Sequence, residues 1–281
     1  MGLPCGKLDS NAYQTIRNQM GFTPYDWNEN IQHRVDYVET RLRQGSPVVG
    51  HAFQGGVLLL SIRRTQRKVF EVFDHILFSA IGSQSDVEAI RIGSIDFASQ
   101  EGFNRSPDDV SVQRLVTGLS PTLKKAFADG FSSPFIVRGI FAELGREPDR
   151  DQFTTLNYDG EYAIHRGHAA IAGSAEAEKR MRDVLTEAGD ELPPFDAAVR
   201  ASLNAWAEGR AQVIRGGMRR RSEERDPEEE EASPESTPQA SLAKALEEGQ
   251  IEVGILERHG KTSRFRLLPE SELNRIRSEG T

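Results

Sequence analysis

The order of hydrophobic patterns predicts an α+β protein: a four-layer αββα sandwich of two antiparallel sheets flanked by helices. Three observations predict it. Strand-like segments come in runs of four, four and two, not singly. Pairs of helix-like segments separate the runs. Within each run the connections are tight turns, too short for the crossover helices of a parallel sheet.

The first helix is expected from Asn28 to Arg43, where Ile31, Val35, Val38 and Leu42 recur at steps of three and four. Asp26 or Asn28 could cap it, and Gly45-Ser46-Pro47 ends it. Before it, residues 1–27 mix Gly, Pro, Asn and aromatics without a period and read as a flexible arm. VVGHAF (48–53) and GVLLLSIR (56–63) then form a hairpin around Gln54-Gly55-Gly56. KVFEVFD (68–74) and ILFSAIG (76–82) form a second one. Ile76–Ile81 is almost wholly apolar, which predicts a central strand buried on both faces.

A helix follows over Ser85–Gln100, with Val87, Ile90, Ile92, Ile95 and Phe97 covering more than one stripe. That suits a helix held between a sheet and another helix. Ser106-Pro107-Asp108-Asp109 reads as the cap of the next helix, which runs to Ala128 and must kink or break at Pro121. Strand patterning returns in PFIVRGIFAELG (134–145), QFTTLNYDG (152–160), EYAIH (161–165) and HAAIAG (168–173), with a turn at Tyr158-Asp159-Gly160. Helices are expected at 175–188 and 196–208. Two closing strands, IEVGILER (251–258) and SRFRLL (263–268), are joined through His259-Gly260.

Between them, 215–240 is Arg-rich and then Glu/Pro/Ser-rich, a composition that cannot bury a core and reads as a disordered linker. Segment 222–236 holds eight carboxylates against Arg225, so it carries nearly all of the net charge of −8. The globular part is close to neutral, which argues against nucleic acid as a partner. Arg219–Arg221 would pair with the neighbouring glutamates. No apolar run reaches the ~20 residues of a membrane span. MGLPCGKLDS has no signal-peptide core, Cys5 follows no lipoprotein-like stretch, and Gly6 spoils a myristoylation pattern. One cysteine excludes an internal disulfide and fits a reducing cytoplasm. The six histidines show no zinc-like spacing beyond His165 and His168, which flank a turn, and Gly55-Gly56 lacks the features of a phosphate loop. No cofactor and no metal is expected.

The chain resembles the proteasome α subunits, the bacterial ones in particular, a branch of the N-terminal-nucleophile hydrolase fold. The resemblance lies in 56–82 and the helix after it, NYDG (157–160), AAIAG (169–173), and IEVGILER followed by RFRLL, in family order and spacing over Asn28–Leu268. It divides the chain into an N-terminal gate arm (1–27), an αββα domain (28–214 and 241–268), an acidic insert (215–240) and a tail (269–281). It implies a cytoplasmic seven-membered ring of this chain, stacked on proteasome β subunits and docked by an AAA ATPase activator ring. It also implies unfolded or tagged proteins as substrates, and no membrane.

A proteolytic member of that fold needs a nucleophile freed as first residue, with its own amine as base. Here the strand begins Gly45-Ser46-Pro47. Cleavage after Gly45 would expose Ser46, but proline follows, and Ile62 stands where proteolytic relatives carry an Asp. The expectation is therefore a silent subunit without catalytic residues; a self-processed Ser46 hydrolase and a self-assembling homolog lacking β partners are the alternatives. The resemblance assigns Lys68 as anion receptor of the activator-tail pocket, with Gly45 and Gly82 beside it and Asp36 where the family often has Glu. An ammonium suits a terminal carboxylate. The surface or salt-bridged lysine is the other possibility for Lys68. In the arm, Phe22, Tyr25 and Trp27 could knit neighbouring arms into a closed gate, or pack on the helix below.

Overall fold

The computed structural model describes residues 24–130, 132–187, 189, 191–222, 236–260 and 263–278. The chain divides into a short N-terminal unit, 1–37, and a main unit, 38–281. Helix α1 (Pro24–Leu42) starts in the first and ends in the second. It begins at Pro24, a residue whose fixed φ and missing N–H suit a first turn. Tyr25 and Trp27 thus belong to a helix by backbone, while Phe22 lies outside the described residues. Within the N-terminal unit, Gln32 Nε2 donates to Asp36 Oδ1 at 3.4 Å and His33 lies 3.7 Å from Glu29.

In the main unit β1 (Val48–Phe53) and β2 (Gly56–Arg63) pair in register, Val48 opposite Ser61 and Phe53 opposite Gly56. The second hairpin is β3 (Val69–Phe73) with β4 (Ile76–Gly82). Next come α2 (Gln84–Asn104), α3 (Val112–Ala128), β5 (Val137–Glu143), β6 (Gln152–Leu156), β7 (Tyr162–His165) and β8 (His168–Ile171). The chain continues with α4 (Ala175–Glu187), α5 (Phe195–Ser222), α6 (Pro238–Glu248), β9 (Gln250–Glu257), β10 (Phe265–Leu267) and α7 (Glu270–Ser278). One sheet has the order β10-β9-β2-β1-β8, the other β3-β4-β5-β6-β7, all pairs antiparallel.

Strand alternation sorts the side chains into three apolar layers. In β2, Val57 and Leu59 point between the sheets, where they join Leu77, Ile81, Ile140 and Phe153. Leu58, Leu60 and Ile62 point outward against Met181, Leu185, Trp206 and Ile276 of the helices. In β4, Ile76 and Phe78 face α2 and α3 through Val87, Ile90, Leu115 and Val116. Each such buried side chain stabilises by about 1.5–3 kcal/mol over exposure. Two sheets with a helical layer outside each give the four-layer αββα sandwich.

Several boundaries differ from those the sequence predicts. Residues 107–109 form a separate 3₁₀ turn, and α3 starts at Val112 with Ser111 accepting from the Arg114 amide at 3.4 Å. Helix α3 passes through Pro121 unbroken. Leu115, Val116 and Leu123, all buried, anchor both halves and offset the cost of about 3 kcal/mol for an interior proline. Helix α5 continues to Ser222 and α6 starts at Pro238, so both ends of the predicted linker are helical; residues 223–235 lie outside the described residues. The tail after Leu268 forms α7, whose Leu273 and Ile276 are buried and whose Arg275 bonds Asp196 at 3.0 Å. The histidines of the β7–β8 turn serve the sheets: His165 meets Thr155 Oγ1 at 3.3 Å, and His168 lies edge-on to His51.

Candidate functional site

A cavity of ≈ 320 Å³ opens where β1 begins, β4 ends and the β2–β3 turn passes over them. The volume falls in the range of small-ligand pockets. Gly45, Ser46, Lys68, Gly82 and Trp206 are among its lining residues, and α5 and α6 supply one side with Arg210 and Lys244.

Lys68 is half-buried, with its ammonium turned inward to donate to the Ser46 carbonyl at 3.1 Å. Burial lowers its pKa to about 8; Glu252 opposes the shift and Arg210 adds to it. An ammonium has three protons, so a further acceptor in the cavity can share the charge.

Lys68 owes its place to Glu252, a residue of β9 with only 5% of its side chain exposed. Its Oε1 accepts the amides of Lys68 at 3.1 Å and Val69 at 2.9 Å. Arg63 Nε lies 3.1 Å from its other oxygen. A carboxylate of one sheet thus holds the first strand of the other by two backbone N–H groups, charge-assisted bonds that are about twice as strong as neutral ones.

Ser46 is tied down as well. Trp206 Nε1 donates to its hydroxyl at 3.3 Å and to the Pro47 carbonyl at 2.9 Å. Ser61 Oγ lies 3.3 Å from Ser46 Oγ and donates to the same Pro47 carbonyl at 2.7 Å. Lys68 addresses the carbonyl of Ser46, downstream of the Gly45–Ser46 bond that self-processing would cut.

The structure therefore brings Lys68, Gly45 and Gly82 together around one cavity, with Ser46 between them. Asp36 belongs to the N-terminal unit, where Gln32 is its hydrogen-bond partner. Both glycines have reasons internal to the fold. A Cβ on Gly45 would stand 2.9 Å from that of Ile81. Gly82 has φ +137°, and a side chain there would meet the Ile136 carbonyl at 2.0 Å. Their being glycine does not by itself call for a ligand.

Trp206, Arg210, Lys244 and Glu252 escaped the sequence reading. For Glu252 a signal existed: in β9 it shares a face with Leu256, which points between the sheets, so a carboxylate stands where alternation calls for an apolar residue. The helical residues carried none, because only tertiary packing brings α5 and α6 to this end.

Among the described residues no helix is long and apolar enough to cross a membrane. In comparisons with known proteins, the sequence model described as "Proteasome subunit" matches residues 42–189, just over half of the chain. A protein of Xylanimonas cellulosilytica named "Proteasome subunit alpha" is 30% identical over 197 residues, 67% of this chain and 80% of the relative. Relatives of the same name from Streptosporangium roseum and Thermomonospora curvata are 28% and 25% identical. Each covers 90% of this chain, matched over 85% and 95% of the relative respectively.

Proposed function

Because the chain belongs to the proteasome subunit family, we propose that it is a non-catalytic α-ring subunit that gates substrate entry, templates a β ring and docks an ATPase activator. The observation that carries the docking role is the Lys68 ammonium, half-buried in a small cavity with protons to spare. A terminal carboxylate entering the cavity would complete its shell, in surroundings where a charge-assisted bond is strong. The relatives' shared name supports the α-type assignment. In this reading the chain forms a seven-membered ring in the cytoplasm, and the proteolytic nucleophile resides in the partner β subunit. Unfolded or tagged proteins enter past the N-terminal arms.

The bonding around Ser46 supports a silent subunit over a self-processed hydrolase. Its hydroxyl is held by Trp206 and Ser61, and Lys68 is engaged with a carbonyl. The test is Lys68→Ala in the particle assembled with its β subunit. ATPase-stimulated protein degradation should be lost while cleavage of small peptides continues. Unchanged stimulation refutes the docking role, and a mature chain starting at Ser46 by intact mass refutes the silent one.

A further inference from the structure

The end of the sandwich opposite Lys68 holds a second cavity, of ≈ 800 Å³, lined by five arginines. Strand direction places it there: β4 starts beside His75 at this end and reaches the Lys68 end at Gly82, while β5 returns to Glu143. We propose that this cavity binds the phosphate chain of a small polyphosphate anion, through Arg150 and Arg166 at its mouth and Arg258 in its wall.

The three guanidiniums are held in different ways. Arg258, with 10% of its side chain exposed, donates from Nη2 to Asp151 Oδ2 at 2.6 Å and from Nη1 to the Gly145 carbonyl. Its buried Nε has no hydrogen-bond partner among the described residues. Asp151 also accepts the Gly145 amide at 2.9 Å, so one ion pair fixes the whole 145–151 turn. Arg150, exposed on that turn, forms no ion pair among the described residues. Arg166 donates to the backbone carbonyl of Asp149 and to no carboxylate among them. Arg146 and Arg264 add charge through solvent-screened pairs, 2.8 Å to Asp108 and 3.8 Å to Asp74, which an incoming anion can exchange. Of the two carboxylates in the lining, Glu143 is already occupied by the Val112 amide and by Gln152, at 2.9 and 2.8 Å.

The chemistry selects the ligand class. All five cations are guanidiniums, the group suited to phosphate recognition; those at the mouth can offer two N–H groups, Arg258 only its Nε–H, and no ammonium lies among them. The volume exceeds what one phosphate fills and admits a di- or triphosphate chain. The lining has no Phe, Tyr or Trp, and of its two imidazoles His75 is bonded to the Val110 carbonyl at 2.9 Å and packed edge-on to Phe73, which leaves only the exposed His259 to meet a base. Recognition therefore rests on the phosphates, and free pyrophosphate and the triphosphate tail of a nucleotide should serve alike.

The test is calorimetric titration of the full chain at low salt with pyrophosphate, ATP and AMP. Pyrophosphate and ATP should bind with affinities within a few-fold of each other, and AMP far more weakly. Arg150→Ser with Arg166→Ser, both at exposed positions, should weaken the first two by roughly tenfold or more. Lys68→Ala at the other end should change nothing. Should the double variant melt differently from the parent, Arg150→Ser alone carries the test and must weaken pyrophosphate measurably. No saturable binding, binding that survives these substitutions, or binding of ATP with pyrophosphate inert would each overturn the proposal.

Discussion

At one end of the two sheets a lysine ammonium is turned inward among partly apolar walls, its pKa drawn down to about 8. At the other, Arg258 is buried but sits 2.6 Å from a carboxylate that is itself 1% exposed. The two cations answer desolvation differently because their chemistry differs. A lysine can shed its proton, so the fold can turn it inward onto a carbonyl while the nearby Glu252 carboxylate is taken up by backbone amides; an arginine cannot, so it is held against its counter-ion. Even so, burial still pushes Asp151 up from its ordinary carboxyl pKa against the pull of Arg258. The Lys68 end thereby carries a charge that pH can switch, and the Arg258 end a permanent one whose frame depends on an ion pair.

Breaking that ion pair should give the largest effect. Asp151→Ala leaves Arg258 buried without a counter-ion and frees the Gly145 amide, and denaturant unfolding should show a loss of about 3–5 kcal/mol. A loss below about 1 kcal/mol would mean that the two ends tolerate unpaired cations equally.

The next effect sharpens the lysine side of the comparison. Affinity for a peptide with a free C-terminal carboxylate should fall about tenfold per pH unit above about 8, where an ordinary exposed lysine would hold to beyond pH 10. The sign for stability is opposite. The unfolded chain keeps the Lys68 proton up to its ordinary pKa of 10.5 and the folded chain only to about 8. In that window the unfolded state binds more protons, so this group's contribution to stability climbs with pH. A Lys68→Met chain should lack the climb, and parallel pH profiles for the two chains would show the ammonium to be solvated.

The smallest effect is expected from Arg146→Ala. Its pair with Asp108 is 79% and 73% exposed, and removing it should change stability by less than about 0.5 kcal/mol. A larger cost would mean that the arginine cluster is knit together as tightly at its rim as at Arg258.

The inner strands were legible because they are buried on both faces. Val48–Phe53, Gly56–Arg63 and Ile76–Gly82 fall where their apolar runs and turn residues put them. The elements that went unread are held by tertiary contacts and not by local pattern. Helix α6 follows a segment whose composition is that of a linker, and its one buried residue is a serine, Ser241, bonded to the Ala207 carbonyl at 3.3 Å. Helix α7 offers only Leu273 and Ile276 amid charges, too few to announce a buried face before α5 is there to meet them. At the candidate site, Lys68 was found through the resemblance, whereas its support in Glu252 and Trp206 comes from β9 and α5, some 140–185 residues further along the chain. The arginine-lined end gave no sequence signal, since its side chains come from separate turns that meet only when the strands are stacked.

The insertion of β9 between β2 and β10 has a kinetic consequence. Gly56 to Arg63 find their partners in Gln250 to Glu257, so the inner strand of that sheet stays half-paired until almost all of the chain has been synthesised. Such long loops make closure late and slow. During translation the hairpin of β1 and β2 presents an open apolar edge, and a nascent chain stalled before residue 250 is the form most in need of a chaperone.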